Sequence, residues 1–514
     1  AMIEGLQGVY GTPEWLGDAH VIATAKHFIG DGGTVRGVDQ GDNRDSEADL
    51  AAIQGVGYPP AIESGVLSVM ASFNSWHGEK VHGHRGLLTD ILVQRLGFEG
   101  FVVGDWNGHG QVEGCTAVSC AQSFNAGVDM FMAPDSWREL HASLLGQVRS
   151  GEVAMERLDE AVARILRVKV RAGLLDAPRP SQRPYAGEFE RLGSPEHRAV
   201  AREAVRRSMV LLKNEGSVLP IAGSSRVLVV GTAADSIGQQ SGGWTLNWQG
   251  EDNPNSIFPN GQSILGGIRD AVARFGGEAV YSPDGTYDAR PDAAIVVFGE
   301  QPYAEFVGDR PHLDFDSGAA LEILRRLKSE GIPTVAVFLS GRPMWMNPEL
   351  NASHAFVAAW LPGSEGGGVA DVLIGDANGR PRHDFEGRLS FSWPARPDQS
   401  PLNAGDDDYA PLFALGHGAS YAAGVPALGV LDESAAVDES AGAGLDLIFA
   451  GRAAQGFRLV LSNEAGARAN VAGPRTALEG DTIVAIAADR LAQEDTRRFE
   501  WNGRAAVRLE PDMD

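Results

Sequence analysis

The sequence predicts a multidomain α/β protein: half of a (β/α)8 TIM-like barrel at 1–174, an α/β sandwich at 193–423 and a small β-rich domain at 424–514. Three observations support this prediction. The chain has 514 residues, which is too many for one hydrophobic core. Short apolar runs alternate with helical patterns in the first two regions, as in parallel sheets whose strands are joined by helices. The proline-rich residues 175–192 between those regions predict a linker.

Four strand-and-helix units are predicted in the first region. Their strands are "VIATAKHF" (21–28), "VLSVMAS" (66–72), "FVVGD" (101–105) and "VDMFMA" (128–133). Helical patterns follow at 47–64, at 85–97, after Cys115 and in two stretches from Trp137 onward. A complete barrel has eight such units, so four would leave strand edges and apolar surface exposed. We therefore expect another polypeptide segment or companion chain to supply the other half of the barrel.

The second region also alternates strands and helices. Apolar strands are predicted at 226–231, 293–299, 334–340 and 354–360, with helices at "GAALEILRRLKSEG" and "GGGVADVLIG". The run "AVRRSMVLLKN" is interpreted as the end of a helix. Dinucleotide binding is a weak alternative for this region, because no G-x-G-x-x-G follows its first strand.

The amino-acid composition changes in the third region. Alanine, glycine and acidic residues dominate its beginning, and short strand-like runs follow: "LDLIFAG", "GFRLVLSN", "TIVAIAAD" and "AAVRLE". Strands this short and this closely spaced predict a small β domain, most simply a sandwich.

Charge and composition exclude some classes of function. Acidic residues outnumber basic ones by 68 to 43, giving a net charge of −25, so nucleic acid would be repelled and neutral sugars fit better. No apolar run is long enough to span a bilayer. Cys115 and Cys120 are spaced for a small disulfide loop or could equally be two inert thiols. We favour inert thiols, which leaves the redox compartment open, and no zinc ligand set is evident.

Two loops offer carboxylates after predicted strands. "GFEGFVVGDWNGHG" (97–110) places Asp105 and Trp106 at the end of an apolar strand, where a barrel of this type keeps its chemistry. An aspartate there is also an ordinary turn former. "VVFGEQPYAEFVGD" (296–309) leaves another strand and carries Glu300, Glu305 and Asp309. Two carboxylates on opposing loops suit glycoside hydrolysis, in which one attacks the sugar and the other protonates the leaving oxygen.

Aromatic and cationic residues indicate the same chemistry. "SGGWTLNWQG" (241–250) holds Trp244 and Trp248, which either cap a core or stack on sugar rings from a polar loop. Lys26 and His27 end the first predicted strand. Taken alone they are a salt-bridged lysine and a core histidine, whereas near a carboxylate pair they become donors to sugar hydroxyls.

Seven ordered motifs carry a resemblance to a known family: "KHFIGDGGT", "VMASFNSWHGEKVHG", "GFEGFVVGDW", "GGWTLNWQG", "GEQPYAEFVGD", "SGRPM" and "AAWLPGSEGGGVADVLIGD". Together they resemble glycoside hydrolase family 3, most of all its β-glucosidase and β-glucan exohydrolase branch. The likeness runs from about Ile22 to about Gly418. The β-rich region beyond it matches none of these motifs.

The resemblance implies a (β/α)8 barrel followed by an α/β sandwich, with the active site between them and no cofactor. It implies a retaining mechanism, with Asp105 as nucleophile and Glu305 as acid/base. The sugar-binding positions carried over from the family are Lys26, His27 and Met70, with Trp106 and Trp248 as an aromatic clamp and Trp244 as its support. Phe73 stands where the family often has an aromatic hydroxyl. The family's earlier strands, with a sugar-binding aspartate and arginine, would precede residue 1.

The expected activity is an exo-acting retaining β-glycosidase that releases glucose from β-glucosides or β-linked gluco-oligosaccharides. Alternatives are a β-xylosidase, a non-catalytic sugar-binding derivative of the fold and a fragment that is inactive alone. A homodimer stays open, and a periplasmic or secreted location is favoured over others.

Overall fold

The computed structural model describes residues 1–425 and 427–434 and, further on, 457–463, 466–468, 471, 475–478, 483–488, 496–501 and 505–511. The chain divides into two compact units, Ala1–Glu188 with Leu447–Asp514, and Phe189–Asp446. Two parallel-sheet α/β regions and a β-rich C-terminal region confirm the predicted fold class at that level. The predicted domain boundaries and the closure of the first sheet into a barrel stay predictions.

The first unit contains the four predicted parallel strands. They are β1 (Thr24–Phe28), β2 (Ser68–Ala71), β3 (Phe101–Trp106) and β4 (Met130–Met132), and they lie side by side in chain order. The helices are Met2–Gln7, Glu47–Asp49 continued by Leu50–Gln54, Tyr58–Glu63, Gly86–Arg95, Ala121–Ala126, Trp137–Ser150 and Met155–Arg171. One apolar core joins β2 and β3 to the helix Gly86–Arg95 through side chains such as Val69, Leu88 and Val102.

The single helix predicted at 47–64 is wrong, because the structure has two helical segments. The first ends at Gln54 and the second begins at Tyr58, with Gly55 and Gly57 between them. Glycine costs a helix interior about 1 kcal/mol relative to alanine, and prolines in a first turn start a new helix without loss. The run "GVGYPP" therefore breaks the helix.

Short elements complete this unit. A small sheet is formed by Asp42–Asn43, Ser75–Trp76 and Glu79–Lys80, and single 3-10 turns lie at Asp31–Gly33, Val35–Gly37, Val81–Gly83, Gly108–Gln111 and Pro180–Gln182. No helix in the described part of the chain is both long and apolar enough to cross a membrane.

Cys115 and Cys120 form a disulfide, so the favoured interpretation of two inert thiols is wrong. The reason is local. Thr116 and Ser119 exchange backbone hydrogen bonds of 3.0 and 3.1 Å, and this tight turn brings the flanking cysteine Cα atoms to 4.8 Å. A separation of five residues allows such a turn but does not dictate it.

The second unit is a six-stranded sheet covered by helices on both faces. Its strands are β5 (Val210–Asn214), β6 (Arg226–Val230), β7 (Glu278–Tyr281), β8 (Ala293–Gly299), β9 (Thr334–Leu339) and β10 (Ala355–Trp360), in the spatial order β7-β6-β8-β9-β10-β5. All neighbours are parallel except β10 and β5. Alternate residues of β6 enter two separate apolar cores, Val227 on one face and Leu228 on the other, as a doubly covered sheet requires.

The helices divide between the two faces. Pro195–Ser208, Ile264–Ala273 and Gly366–Leu373 contribute to one core, and Ala319–Ser329 and Asn347–Ala352 to the other. Shorter turns lie at Phe189–Arg191, Glu215–Ser217, Thr232–Asp235, Ile237–Ser241, Asn255–Ile257 and Glu305–Gly308.

Two predictions for this unit are corrected. "AVRRSMVLLKN" is not simply a helix end: the helix stops at Ser208, and Val210–Asn214 is a buried strand. The strand β7 is absent from the sequence-based prediction, because it has four residues, lies at the sheet edge and is only partly buried. All four strands predicted for this unit are confirmed.

The described residues of the C-terminal region form two three-stranded antiparallel sheets. Phe457–Asn463 pairs with Gly466–Arg468 and Ala505–Pro511, and Ile483–Ala488 pairs with Arg475–Ala477 and Thr496–Trp501. Leu459 and Leu461 of one sheet share an apolar core with Ile483 and Ala485 of the other, as in a sandwich. The predicted strand "LDLIFAG" lies outside the described residues.

Candidate active site

Asp105 is the second-last residue of β3, and its side chain is 14% exposed. Its backbone N–H donates to Nε2 of His82 at 2.8 Å, and its Oδ1 accepts the N–H of Trp106 at 2.7 Å. Both ends of the residue are therefore fixed, while Oδ2 faces a different neighbour. This is the arrangement needed to hold a strand-end carboxylate in one orientation.

That neighbour is His27, which lies between two carboxylates. Its Nε2 is 3.4 Å from Oδ2 of Asp105, and its Nδ1 is 3.2 Å from Oδ2 of Asp31. Lys26 is exposed, and its positive charge also acts on the Asp105 carboxyl. The structure thus brings the strand-end pair of β1 to the strand-end aspartate of β3.

The electrostatics of Asp105 combine opposing effects. Burial raises the pKa of the Asp105 carboxyl above its ordinary value, and the negative charge of Asp31 raises it further. The hydrogen bond from the Trp106 amide and the charges of His27 and Lys26 act in the opposite direction. A carboxylate that is poorly solvated yet held by these donors is a stronger nucleophile than one in open water.

His82 supports Asp105 from inside the unit. It is fully buried, and burial lowers the pKa of its imidazole to about 3, so the ring is neutral. The His82 Nε2 atom accepts the Asp105 N–H, so the ring proton lies on Nδ1. The hydrogen bond between His82 and the Ser72 backbone is therefore made by Nδ1. A Cβ at Gly108 would come within 2.4 Å of the His82 ring, so only glycine fits there.

No feature of the sequence predicts a role for His82. It belongs to the motif "VMASFNSWHGEKVHG", but no sequence pattern distinguishes a buried, neutral histidine from any other histidine. Phe73 in the same motif lies beside it, with ring centroids 5.8 Å apart.

Met70 and Trp106 complete the set predicted for the first unit. Met70 is half-buried on β2 in register with Val103 of β3, and Trp106 ends β3 in register with Met132 of β4. Carboxyl ends of adjacent parallel strands meet at one edge of a sheet. The predicted residues of β1, β2 and β3 therefore lie at the same edge.

Glu305 lies in the second unit, on the loop that follows β8. It begins the short turn Glu305–Gly308, is partly exposed, and has a backbone φ of +53°. Residues other than glycine rarely adopt this left-handed conformation, which costs about 1–2 kcal/mol. The surrounding structure must therefore impose it.

The loop 241–250, which carries Trp244 and Trp248, packs against the loop 300–309, which carries Glu305. The Trp248 ring meets the Phe306 ring edge-on at 5.4 Å, and the backbone N–H of Ala304 donates to Oε1 of Gln249 at 2.8 Å. Trp248 is only 4% exposed, whereas Trp244, 6.4 Å away, is 59% exposed. The two predicted tryptophans thus differ sharply in accessibility.

The three carboxylates of the loop 300–309 also differ. Glu300 is buried in an ion pair with Arg342, Nη2 to Oε1 at 2.6 Å, and is hydrogen-bonded to Ser340. Asp309 is exposed at the far end of the loop. Glu300 is therefore held in an ion pair within the second unit, and the acid/base role of Glu305 stays a prediction. Within the described residues, no group of three or more His, Cys, Asp or Glu is placed to hold a metal ion.

This combination of parallel α/β units, a fixed strand-end carboxylate and a second carboxylate beside tryptophans is the one expected of glycoside hydrolases. The chain belongs to glycoside hydrolase family 3. The model of the family's N-terminal domain matches residues 1–168, and that of its C-terminal domain matches residues 209–421.

Individual relatives agree with this assignment. The crystal structure of a mutant exo-1,3/1,4-β-glucanase from a Pseudoalteromonas species matches with a TM-score of 0.83 and 52% identity, over 85% of this chain and 70% of that one. A lysosomal β-glucosidase of Dictyostelium discoideum is 31% identical over 456 residues, 82% of this chain and 54% of that protein. A β-xylosidase of Formosa agariphila is 31% identical over 461 residues, 82% of this chain and 62% of that protein. The chain therefore spans 54% and 62% of the lengths of these two curated relatives.

Proposed function

We propose that the protein is a retaining, exo-acting β-glycoside hydrolase that releases glucose from β-glucosides or β-linked gluco-oligosaccharides. The observation that carries the proposal is Asp105, a largely buried carboxylate at a strand end, fixed by the Trp106 amide and by His82. The activities of two relatives, β-glucosidase and exo-1,3/1,4-β-glucanase, support glucose as the released sugar.

The proposed chemistry has two displacements. In the first, an oxygen of Asp105 bonds to the anomeric carbon while the bond to the leaving oxygen breaks and Glu305 donates its proton to that oxygen. In the second, Glu305 takes a proton from water, whose oxygen replaces Asp105 on the sugar. This chemistry needs no cofactor.

Sugar recognition is proposed for the residues around these carboxyls. The exposed Lys26 ammonium and the His27 imidazole donate to sugar hydroxyls, while Met70 and Trp106 provide apolar contact. The resemblance assigns the clamp to Trp106 and Trp248. Since Trp248 is 4% exposed and Trp244 is 59% exposed, we propose that Trp244 offers the accessible face and Trp248 holds it in place.

We also propose that four further β/α units complete the first sheet as a barrel. Among the described strands, β1 and β4 each have one neighbour, and unpaired edges of parallel sheets are normally covered. The helix Met155–Arg171 exposes Val162, Leu166 and Val170, spaced four residues apart on one face. An apolar face of this kind is suited to packing against a neighbouring helix.

A periplasmic or secreted location is proposed from the Cys115–Cys120 disulfide. Disulfides persist in oxidising compartments and are rare in the cytosol. Cell fractionation with thiol labelling tests this, and a protein whose cysteines are labelled inside cells would contradict it.

The test of the proposed function compares wild type with Asp105→Asn on 4-nitrophenyl β-glucoside, with the completing β/α units present here and in every kinetic test below. An amide cannot form the glycosyl ester, so turnover should fall by about 10⁴-fold or more while the fold is retained. Turnover by the variant near the wild-type rate would exclude Asp105 as nucleophile. The β-xylosidase alternative, supported by the Formosa agariphila relative, predicts a higher kcat/KM on the matching xyloside.

A further inference from the structure

One guanidinium joins the two ends of the Glu305 loop. Arg342 donates from Nη2 and Nε to Oε1 of Glu300, at 2.6 and 3.2 Å, and from Nη1 to the backbone carbonyl of Gly308 at 2.6 Å. Glu300 precedes Glu305 and Gly308 follows it. Because guanidinium is a planar, rigid fork, these three bonds fix the distance between the start and the end of the loop.

The ion pair is shielded from water and supported on its other side. The Glu300 side chain is 7% exposed and that of Arg342 is 24% exposed. The Ser340 hydroxyl lies 2.8 Å from Oε2 of Glu300 and accepts the backbone N–H of Arg342 at 3.0 Å. A desolvated pair in which two guanidinium N–H groups donate to one carboxylate oxygen holds its geometry better than an exposed pair.

Tyr303 packs the middle of the loop onto the same guanidinium. Its ring centroid lies 4.7 Å from the Arg342 guanidinium carbon, and its hydroxyl donates to Oε2 of Glu300 at 3.3 Å. Burial raises the pKa of the Tyr303 hydroxyl to about 12, so it stays a donor. A Cβ at Gly308 would come within 2.4 Å of the same ring, so the loop closes tightly around it.

We propose that Arg342 is a positioning residue that sets the orientation of Glu305 by holding the loop 300–309 at both ends. This inference rests on the proposed role of Glu305 as acid/base. The left-handed backbone of Glu305, φ +53°, is a conformation that a loose loop of this sequence would not keep. Loss of the Arg342 hydrogen bonds to Glu300 and Gly308 should therefore impair proton transfer to the leaving group and leave nucleophilic attack largely intact.

The test measures kcat/KM on two β-glucosides, one with a 2,4-dinitrophenyl leaving group and one with a sugar leaving group. The activated substrate needs little protonation, whereas the disaccharide needs general acid catalysis. Glu305→Ala should lose about 100-fold or more on the disaccharide and much less on the activated substrate. Arg342→Met should follow the same pattern with a loss of about 10-fold on the disaccharide. Arg342→Lys, which keeps the charge without the fork, should lie between Arg342→Met and wild type.

Arg206→Met is the matched control. Arg206 is also a partly buried arginine of the second unit, but its ion pair is with Asp371 at 3.1 Å and not with the loop 300–309. Its replacement should change kcat/KM by the same factor on both substrates. The positioning role of Arg342 is refuted if Glu305→Ala loses kcat/KM mainly on the disaccharide while Arg342→Met lowers kcat/KM equally on both substrates. If Glu305→Ala itself shows no such dependence, the proposed role of Glu305 fails instead.

Discussion

Replacing His82 by phenylalanine should lower both stability and catalysis, since phenylalanine keeps the ring and removes both ring nitrogens. The backbone N–H of Asp105 then loses its acceptor at 2.8 Å, and the Ser72 backbone loses its hydrogen bond. Each buried group left unpaired costs about 1–3 kcal/mol, so the free energy of unfolding should fall by about 2–6 kcal/mol. Because Asp105 is released at its backbone, kcat/KM should also fall, by about 10- to 100-fold.

The assay pairs denaturant unfolding with kcat/KM on an aryl β-glucoside. His109→Phe is the control, because His109 is also buried and makes one hydrogen bond, Nε2 to the carbonyl of Ala117 at 2.9 Å. It should lose stability with little loss of kcat/KM. The reasoning is refuted if His82→Phe keeps wild-type kcat/KM, or if His109→Phe loses as much. Because His82 has a pKa of about 3, its titration should not contribute to the wild-type pH profile above about pH 4.

Three further predictions concern the sugar site and the completed fold. Trp244→Ala should raise KM with little change in stability, because Trp244 is exposed. Trp248→Ala should mainly lower the melting temperature, because Trp248 is buried. Equal effects of the two variants on KM and on the melting temperature would contradict the proposed division of roles. The negative charge of Asp31 raises the pKa of Asp105, so Asp31→Asn should shift the acidic limb of kcat/KM to lower pH, and a shift to higher pH would contradict this. Residues 1–514 expressed alone should give little activity and recover it when the completing β/α units are added; an active, cooperatively folding monomer would refute the requirement.

Elements that are buried on both faces could be predicted from the sequence. Strands such as Ala293–Gly299 and Thr334–Leu339 are continuous apolar runs, and their boundaries were found to within a residue. The edge strand Glu278–Tyr281 escaped because an edge strand is not required to be apolar. Gly55 and Gly57 mark the helix break in the sequence, but the apolar pattern continues on both sides of them and therefore predicts one helix where the structure has two.

The candidate site divides in the same way. Residues at strand ends, such as His27 and Asp105, could be proposed from their positions, because parallel strands bring their carboxyl ends to one edge. His82 and Arg342 could not, because their importance lies in partners distant along the chain: Asp105 for the one and Glu300 for the other. Only the folded chain pairs these groups.

Trapping the glycosyl-enzyme tests the central claim most directly. A 2-deoxy-2-fluoro-β-glucosyl fluoride slows both displacements by destabilising the oxocarbenium-like transition state, while its good leaving group lets the first step proceed. After brief reaction, digestion and mass spectrometry, the fluoroglucosyl group should be found as an ester on Asp105, and Asp105→Asn should carry none. A label on another carboxylate, or steady hydrolysis of β-glucosides with inversion and no covalent label, would contradict the account.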